Sequence, residues 1–480
     1  MFNDFHFLED RPIYIQLKEY FKKMITSGQL LEHQKLPSTR ELGSILSISR
    51  NTVLTAYADL EQEGLIYTVK GKGHFVSMVD TSKAPSVQLN WKEHISEQAL
   101  IAEEMDLMKH GVRWNKKMIS FNSIAPDEKL FDVENFKRAF LQRMSIEGNI
   151  VLNYGYAKGY QPLIHYLLHY MEMKGVDTSN KDIIITNGFT EGLDLFLTSI
   201  NKQNGRVICE NPTHHSALKL FRMHGFQIHG MEMDRDGINL NQLESSLSSN
   251  EYDFAYFIPS YHNPTGIVTS SEKRMQIMKL FSHYQIPIIE DGFNEELRYS
   301  GSHLAPLAAF AGLGNNVIYI SSFSKILFPG LRVGWILADK DLINYLESVK
   351  RARTIHTSTM DQAVLYQYLQ EGYFEKYLKK AKAVYKEKYE LAVQCCQTYI
   401  PFTRLTGDGG LHLFLELEKT IDSRKLLEKC YQRGVVFSPG DVFHTDDQGK
   451  NTLRLGFSRL KENEIIDGIK IIGETLKNGG

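Results

Sequence analysis

From about residue 150 onward, short apolar runs at 183–186, 207–209, 254–258, 286–290, 317–322 and 333–337 alternate with stretches whose apolar residues recur at helical spacing. That rhythm restricts the fold more than any other feature of the chain. A strand–helix succession of this kind winds into a sheet covered by helices, with ligand chemistry at the strand ends. At 480 residues the chain is too long for one core, so this α/β body shares it with other domains. Beyond about 360 the sequence turns helix-rich, with strand-like runs near 411–416 and 453–457, which predicts a smaller α+β lobe.

The front of the chain has a different pattern. Ile13, Leu17, Tyr20, Phe21 and Met24 mark a helix over 12–27, stopped by Gly28. Ser38 and Glu41 form a capping box that opens a second helix through Leu46. Ser49 caps a third, with Val53, Ala56, Tyr57 and Leu60 on its inner face and Gly64 at its end. Alternating runs at 65–69 and 74–79 then flank Lys70-Gly71-Lys72-Gly73, a basic hairpin tip. Three helices followed by a hairpin suit a winged helix-turn-helix, whose third helix enters the major groove of double-stranded DNA. Arg50, Asn51 and Thr52 fall on that helix's first turn. Arg can fork onto guanine, Asn onto adenine, and Thr can reach a phosphate or a thymine methyl. Ser38 and Arg40 are placed for backbone phosphates, and Lys70 and Lys72 for the adjacent groove. Residues 1–76 hold nine Lys/Arg and nine Asp/Glu, so DNA binding here rests on where the charges sit and not on their sum. The expected partition is a DNA-reading domain over 1–79, a linker over 80–115, and a ligand-binding domain over 116–480. That last domain divides into a large part at about 150–355 and a small lobe at about 360–480.

Composition removes several other classes. Cys209, Cys395, Cys396 and Cys430 lack metal-ligand spacing, so neither a metal site nor a disulfide framework is expected. Asp4, Glu9 and Asp10 are wrong for a signal peptide, and no apolar run reaches bilayer length. The reading is a cytoplasmic protein with no membrane partner.

The α/β body carries four separate motifs that together suit pyridoxal 5'-phosphate. That cofactor needs an amine, a partner for its ring nitrogen, a phosphate cradle and a ring clamp. In Ser321-Ser322-Phe323-Ser324-Lys325, Lys325 supplies the amine, with the Ser322 and Ser324 hydroxyls on the same loop. Arg332, in Pro329-Gly330-Leu331-Arg332-Val333-Gly334-Trp335, offers a fork to the phosphate. Gly188, Phe189 and Thr190 lie where a strand runs into a helix, so their backbone N–H groups can hold phosphate too. Asp291 follows an apolar strand and would pair with the ring nitrogen. Asn263, in His262-Asn263-Pro264-Thr265-Gly266, would bond the ring hydroxyl. Burial and cationic neighbours should lower the pKa of Lys325 and favour its free amine.

The front motifs, from Pro12-Ile13-Tyr14 through Gly71-Lys72-Gly73-His74-Phe75-Val76, resemble the winged helix of the GntR superfamily. The rear motifs, over roughly 120–475, resemble fold-type I aminotransferases of class I. The two in one chain look like the MocR/GabR family of bacterial regulators. The fold class implied is multidomain: an α+β winged helix-turn-helix, then an α/β fold-type I pyridoxal phosphate-dependent transferase domain with a small C-terminal α+β lobe. The resemblance further implies a homodimer in which Tyr154 reaches the neighbouring subunit's phosphate. It also implies that Arg454, in Leu453-Arg454-Leu455-Gly456, holds a ligand carboxylate. Three departures stand out. Phe293 occupies the place of an aromatic hydroxyl, His214 stands where a tyrosine commonly stacks on the ring, and the loop 121–127 lacks a glycine. The function implied is a DNA-binding regulator that senses an amino compound, or the cofactor itself, through an aldimine at Lys325. An active aminotransferase with an accessory front domain, and an inert fold kept for dimerisation, remain open beside it.

Overall fold

The computed structural model describes residues 11–77, 89–113, 115, 117–200 and 204–477, which divide into two compact units, Met1–His94 and Ile95–Gly480. In the first unit the helices are Ile13–Thr26, Thr39–Leu46 and Arg50–Gln62. The Ser38 hydroxyl accepts from the Glu41 N–H at 3.2 Å while the Glu41 carboxylate accepts from the Ser38 N–H, which completes the capping box. Ser49 accepts from the Thr52 N–H and starts the third helix. Leu17, Phe21, Leu42, Val53, Tyr57 and Leu60 are fully buried between the helices. The Tyr57 hydroxyl donates to the Pro37 carbonyl at 2.9 Å, tying the third helix to the turn before the second. Ile66–Val69 pairs antiparallel with Gly73–Val76 around the Lys70–Lys72 tip. Positions 78 and 79 of the expected second strand lie outside the described residues.

The second unit is built on an eight-stranded sheet. In order across it run Lys181–Thr186, Gly334–Asp339, Val317–Ser322, Ile288–Asp291, Phe254–Phe257, Arg206–Asn211, Gln227–Asp234 and Gly237–Ile238. Gly334–Asp339 is antiparallel to both its neighbours, and the strands from Val317–Ser322 to Gln227–Asp234 are parallel to one another. Both faces are covered by helices, so alternate residues of one strand enter different cores. Ile183 and Ile185 pack into one layer and Ile184 into the other. The two strands at 227–238 were not foreseen, because the longer one carries polar residues and fully buries only Met231.

The small lobe has the antiparallel order Arg404–Thr406, His412–Glu416, Thr452–Gly456, Ser438–Pro439, backed by Tyr373–Tyr399 and Glu462–Lys477. Ile119–Ser120 pairs with Val435–Val436, carrying the loop that follows it to the lobe's edge. Within the stretch 80–115, residues Glu97–Glu104 and Leu107–His110 are helical, and the first of these helices packs on His215–Met223. Among the described residues, no helix is long and apolar enough to cross a membrane.

Candidate functional site

The ends of Val317–Ser322 and Ile288–Asp291, together with the start of Phe189–Ile200, open on a cavity of about 480 Å³. Lys325, Asp291, Asn263, Ser322, Ser324, Arg332, Phe189, Thr190, His214 and Arg454 all line it. These ten come from six separate stretches of chain, Arg454 from the small lobe's Thr452–Gly456 and the others from the ends of the large sheet's strands and the loops beyond them. Gly188 stands behind this wall and Tyr154 is apart from it. Tyr154 is 82% exposed, with its ring edge-on to His356.

Each side chain is set by local structure. Lys325 ends a short 3₁₀ turn that begins directly after its strand. Burial, followed by the Arg454, Arg459 and Arg332 charges, pushes its amine down to about 8. Asp291 is the last residue of its strand, one position inside the expected boundary, and the Tyr256 hydroxyl donates to its Oδ2 at 2.7 Å. Burial raises its carboxyl to about 8 against that hydrogen bond, with Glu295, Glu210 and Glu290 adding to the rise. A cationic ring nitrogen beside Asp291 would offset that cost and restore the carboxylate. His214 precedes the helix His215–Met223, with Nδ1 at 3.9 Å from Asp291 Oδ2 and its ring tilted against Phe189. Burial, then Lys325 and Arg454, drive its imidazole down to about 3, so it is neutral.

Arg332 sits at the rim in the left-handed region (φ 53°), its guanidinium donating to the Asn187 carbonyl at 3.1 Å and reaching Ser324 Oγ at 3.5 Å. A Cβ on Gly188 would come within 2.8 Å of that guanidinium, and Gly188 itself has φ +81°. Only glycine leaves that cradle open. At the other end, Arg454 is buried and donates to Asn263 Oδ1 at 2.7 Å and to the Asn122 carbonyl at 3.3 Å. Its guanidinium lies 4.7 Å from the centre of the Phe443 ring, and its Nε has no hydrogen-bond partner. An unpaired buried donor of this kind invites an acceptor from a ligand.

The class I and II aminotransferase family matches residues 116–472, and the gntR family of bacterial regulatory proteins matches residues 13–76. The chain belongs to the class I and II aminotransferase family. With the GntR-family domain in front, it has the architecture of MocR/GabR-type regulators. It is 27% identical over 478 residues to the uncharacterized HTH-type transcriptional regulator YisV of Bacillus subtilis strain 168, covering 98% of this chain and 96% of that one. It is 31% identical over 408 residues to aromatic-amino-acid aminotransferase 1 of Thermococcus litoralis, which covers 82% of this chain and 97% of the relative. The solved kynurenine aminotransferase of Pyrococcus horikoshii, in complex with PMP, superposes with a TM-score of 0.75 at 29% identity, over 81% of this chain and 98% of that one.

Pyridoxal phosphate is the cofactor of this aminotransferase fold, and the cavity fits it. A depressed lysine, a buried carboxyl, the Arg332 guanidinium with the Ser322 and Ser324 hydroxyls, and a neutral ring residue occupy one space. Phe293 lines the same cavity and offers no hydroxyl. Ile124, from the loop 121–127, lines it as well, and several lining residues escaped the sequence reading: Leu107, Met108, Asn294, Ser438 and Phe443. Asn294 is buried with φ 55°, and neither amide atom has a partner. An Asn in a turn is ordinary, so nothing in the sequence marked it.

In the first unit, Ser38, Arg40, Arg50, Asn51, Lys70 and Lys72 are exposed, and Thr52 is half-buried with its hydroxyl 2.8 Å from Ser49 Oγ. The Thr52 hydroxyl thus joins the helix cap through one bond and keeps a second for a phosphate. Arg50 reaches back to Thr39 Oγ1 at 3.4 Å, which holds the two helix starts side by side.

Proposed function

We propose that this protein is a pyridoxal phosphate-dependent transcription regulator that senses an amino compound, or the cofactor itself, through Lys325. The observation that carries this reading is the convergence of Lys325, Asp291, Asn263, Arg332, His214 and Arg454 on one cavity in a chain that also bears a GntR-family DNA-binding domain. When bound, the cofactor supplies an aldehyde that condenses with amines. Lys325 Nζ, largely deprotonated above about pH 8, presents the amine that holds it. Asp291 would pair with the ring nitrogen and favour its protonated form. Asn263 would meet the ring hydroxyl, and His214 would clamp the ring. Arg332, the Ser322 and Ser324 hydroxyls and the N–H groups of Gly188, Phe189 and Thr190 hold the phosphate. Arg454, with Nε free, receives an effector carboxylate.

Two chains act together in this reading, with Tyr154 reaching the neighbouring subunit's phosphate. The exposure of Leu141, Ile146, Ile150, Leu152 and Tyr156 around Tyr154 in sequence supports a subunit contact there. Arg50, Asn51 and Thr52 meet base edges and phosphates, with Ser38, Arg40, Lys70 and Lys72 on the flanking backbone and groove. Effector occupancy changes operator binding because the effector favours one arrangement of the chain over another.

Spectroscopy with product analysis tests this. Added pyridoxal phosphate should give a visible absorbance band that Lys325→Ala abolishes, and a supplied amino acid should shift the band without many turnovers. Sustained keto-acid production by the native chain would instead establish a working aminotransferase.

A further inference from the structure

Part of the cavity wall comes from outside the strand ends and their loops. Leu107 and Met108 line it, and they belong to the segment that leads in from the DNA-binding unit. Leu107 is 43% and Met108 90% exposed, an apolar pair left uncovered at a cavity that Ile124, Phe293 and Phe443 also line. Asp106 opens their short helix by accepting from the Met108 N–H at 2.9 Å. Ion pairing of Lys109 with Glu103 folds the segment on itself.

His215 fastens this segment to the ligand lobe. Its Nε2 lies 3.0 Å from the Met105 carbonyl and its Nδ1 2.9 Å from the Val442 carbonyl. Val442 precedes Phe443, whose ring backs Arg454. His215 also follows His214 in the chain. One imidazole thus touches both the connecting segment and the loop behind the carboxylate-binding arginine.

Resting on the regulator reading above, we propose that Leu107 and Met108 are specificity-determining residues. They receive the apolar side chain of an amino-acid effector whose carboxylate sits on Arg454, so the connecting segment itself forms part of the ligand's binding surface. His215 is the positioning residue that holds that segment over the cavity. An amino acid with a long apolar side chain then pins residues 105–110 in place, and a short one leaves them uncovered. The readout of ligand size is built into the chain that leads to the DNA reader.

The test uses the full chain loaded with pyridoxal phosphate and titrated with alanine and with norleucine, following the cofactor band. Three additional methylenes buried on Leu107 and Met108 correspond to at least about tenfold tighter binding of norleucine. In Leu107→Ala/Met108→Ala that preference should fall several-fold, with norleucine losing more affinity than alanine. Norleucine, and not alanine, should slow proteolysis at residues 105–113. His215→Gln should make that cleavage faster in the unliganded chain while keeping the band. An equal norleucine preference in native and double variant, or no preference in either, overturns the proposal. So does unchanged cleavage with norleucine. Absence of any cofactor band in the native chain overturns the cofactor reading itself, and this inference with it.

Discussion

Lys325 releases its proton more readily than a free lysine because burial and three arginines, Arg454, Arg459 and Arg332, oppose its charge. Only the neutral amine attacks an aldehyde, so capture should accelerate as pH rises through the lysine's pKa. The capture rate, followed by absorbance, should show its midpoint near 8 rather than at the usual lysine value. Gly188→Ala makes a second residue-scale test. Its Cβ meets the Arg332 guanidinium at 2.8 Å and its φ of +81° strains any side chain by about 1–2 kcal/mol. Pyridoxal phosphate affinity measured by titration should fall by about tenfold or more, with the front unit's DNA contacts left intact. At this scale most of the cavity was readable, since Lys325, Asp291, Asn263 and Arg332 lie in motifs whose order carries the chemistry. Leu107, Met108 and Phe443 were not, because an isolated Leu, Met or Phe has no chemistry to mark it until packing shows what it faces. The bond from Arg454 to Asn263 spans 191 positions and exists only through the fold.

Helix starts were legible because caps are local. Ser38 with Glu41 and Ser49 with Thr52 make their bonds within one turn, and both appear where the sequence puts them. Ser49→Ala should cost about 1 kcal/mol of the third helix's stability, seen as faster amide hydrogen exchange over Arg50–Gln62. Strands buried on both faces were equally clear. Val317–Ser322 has the bounds expected from its apolar run. The strand Gln227–Asp234 was hidden because its outer residues face solvent or a short edge partner and show no apolar run. Ile119–Ser120 with Val435–Val436 was hidden for another reason. Each is two residues long, and the pairing joins positions some three hundred residues apart. In the stretch 80–115, read as a linker, the packing of Glu97–Glu104 on His215–Met223 required the structure.

On the scale of the whole molecule, one chain carries a GntR-family domain and an aminotransferase fold. The proposed homodimer makes its own prediction. Leu141→Asp/Ile150→Asp places two charges among the exposed apolar residues around Tyr154, and sedimentation should show a shift from dimer to monomer. In the proposed function, occupancy at Lys325 changes how the GntR-family domain engages DNA. Its most direct test is a footprint on the DNA upstream of the chain's own gene and its neighbours, at fixed salt, with and without pyridoxal phosphate, beside Lys325→Ala. The account predicts paired half-sites whose spacing or affinity changes with cofactor in the native chain and does not change in Lys325→Ala. Identical protection in all four lanes would contradict it.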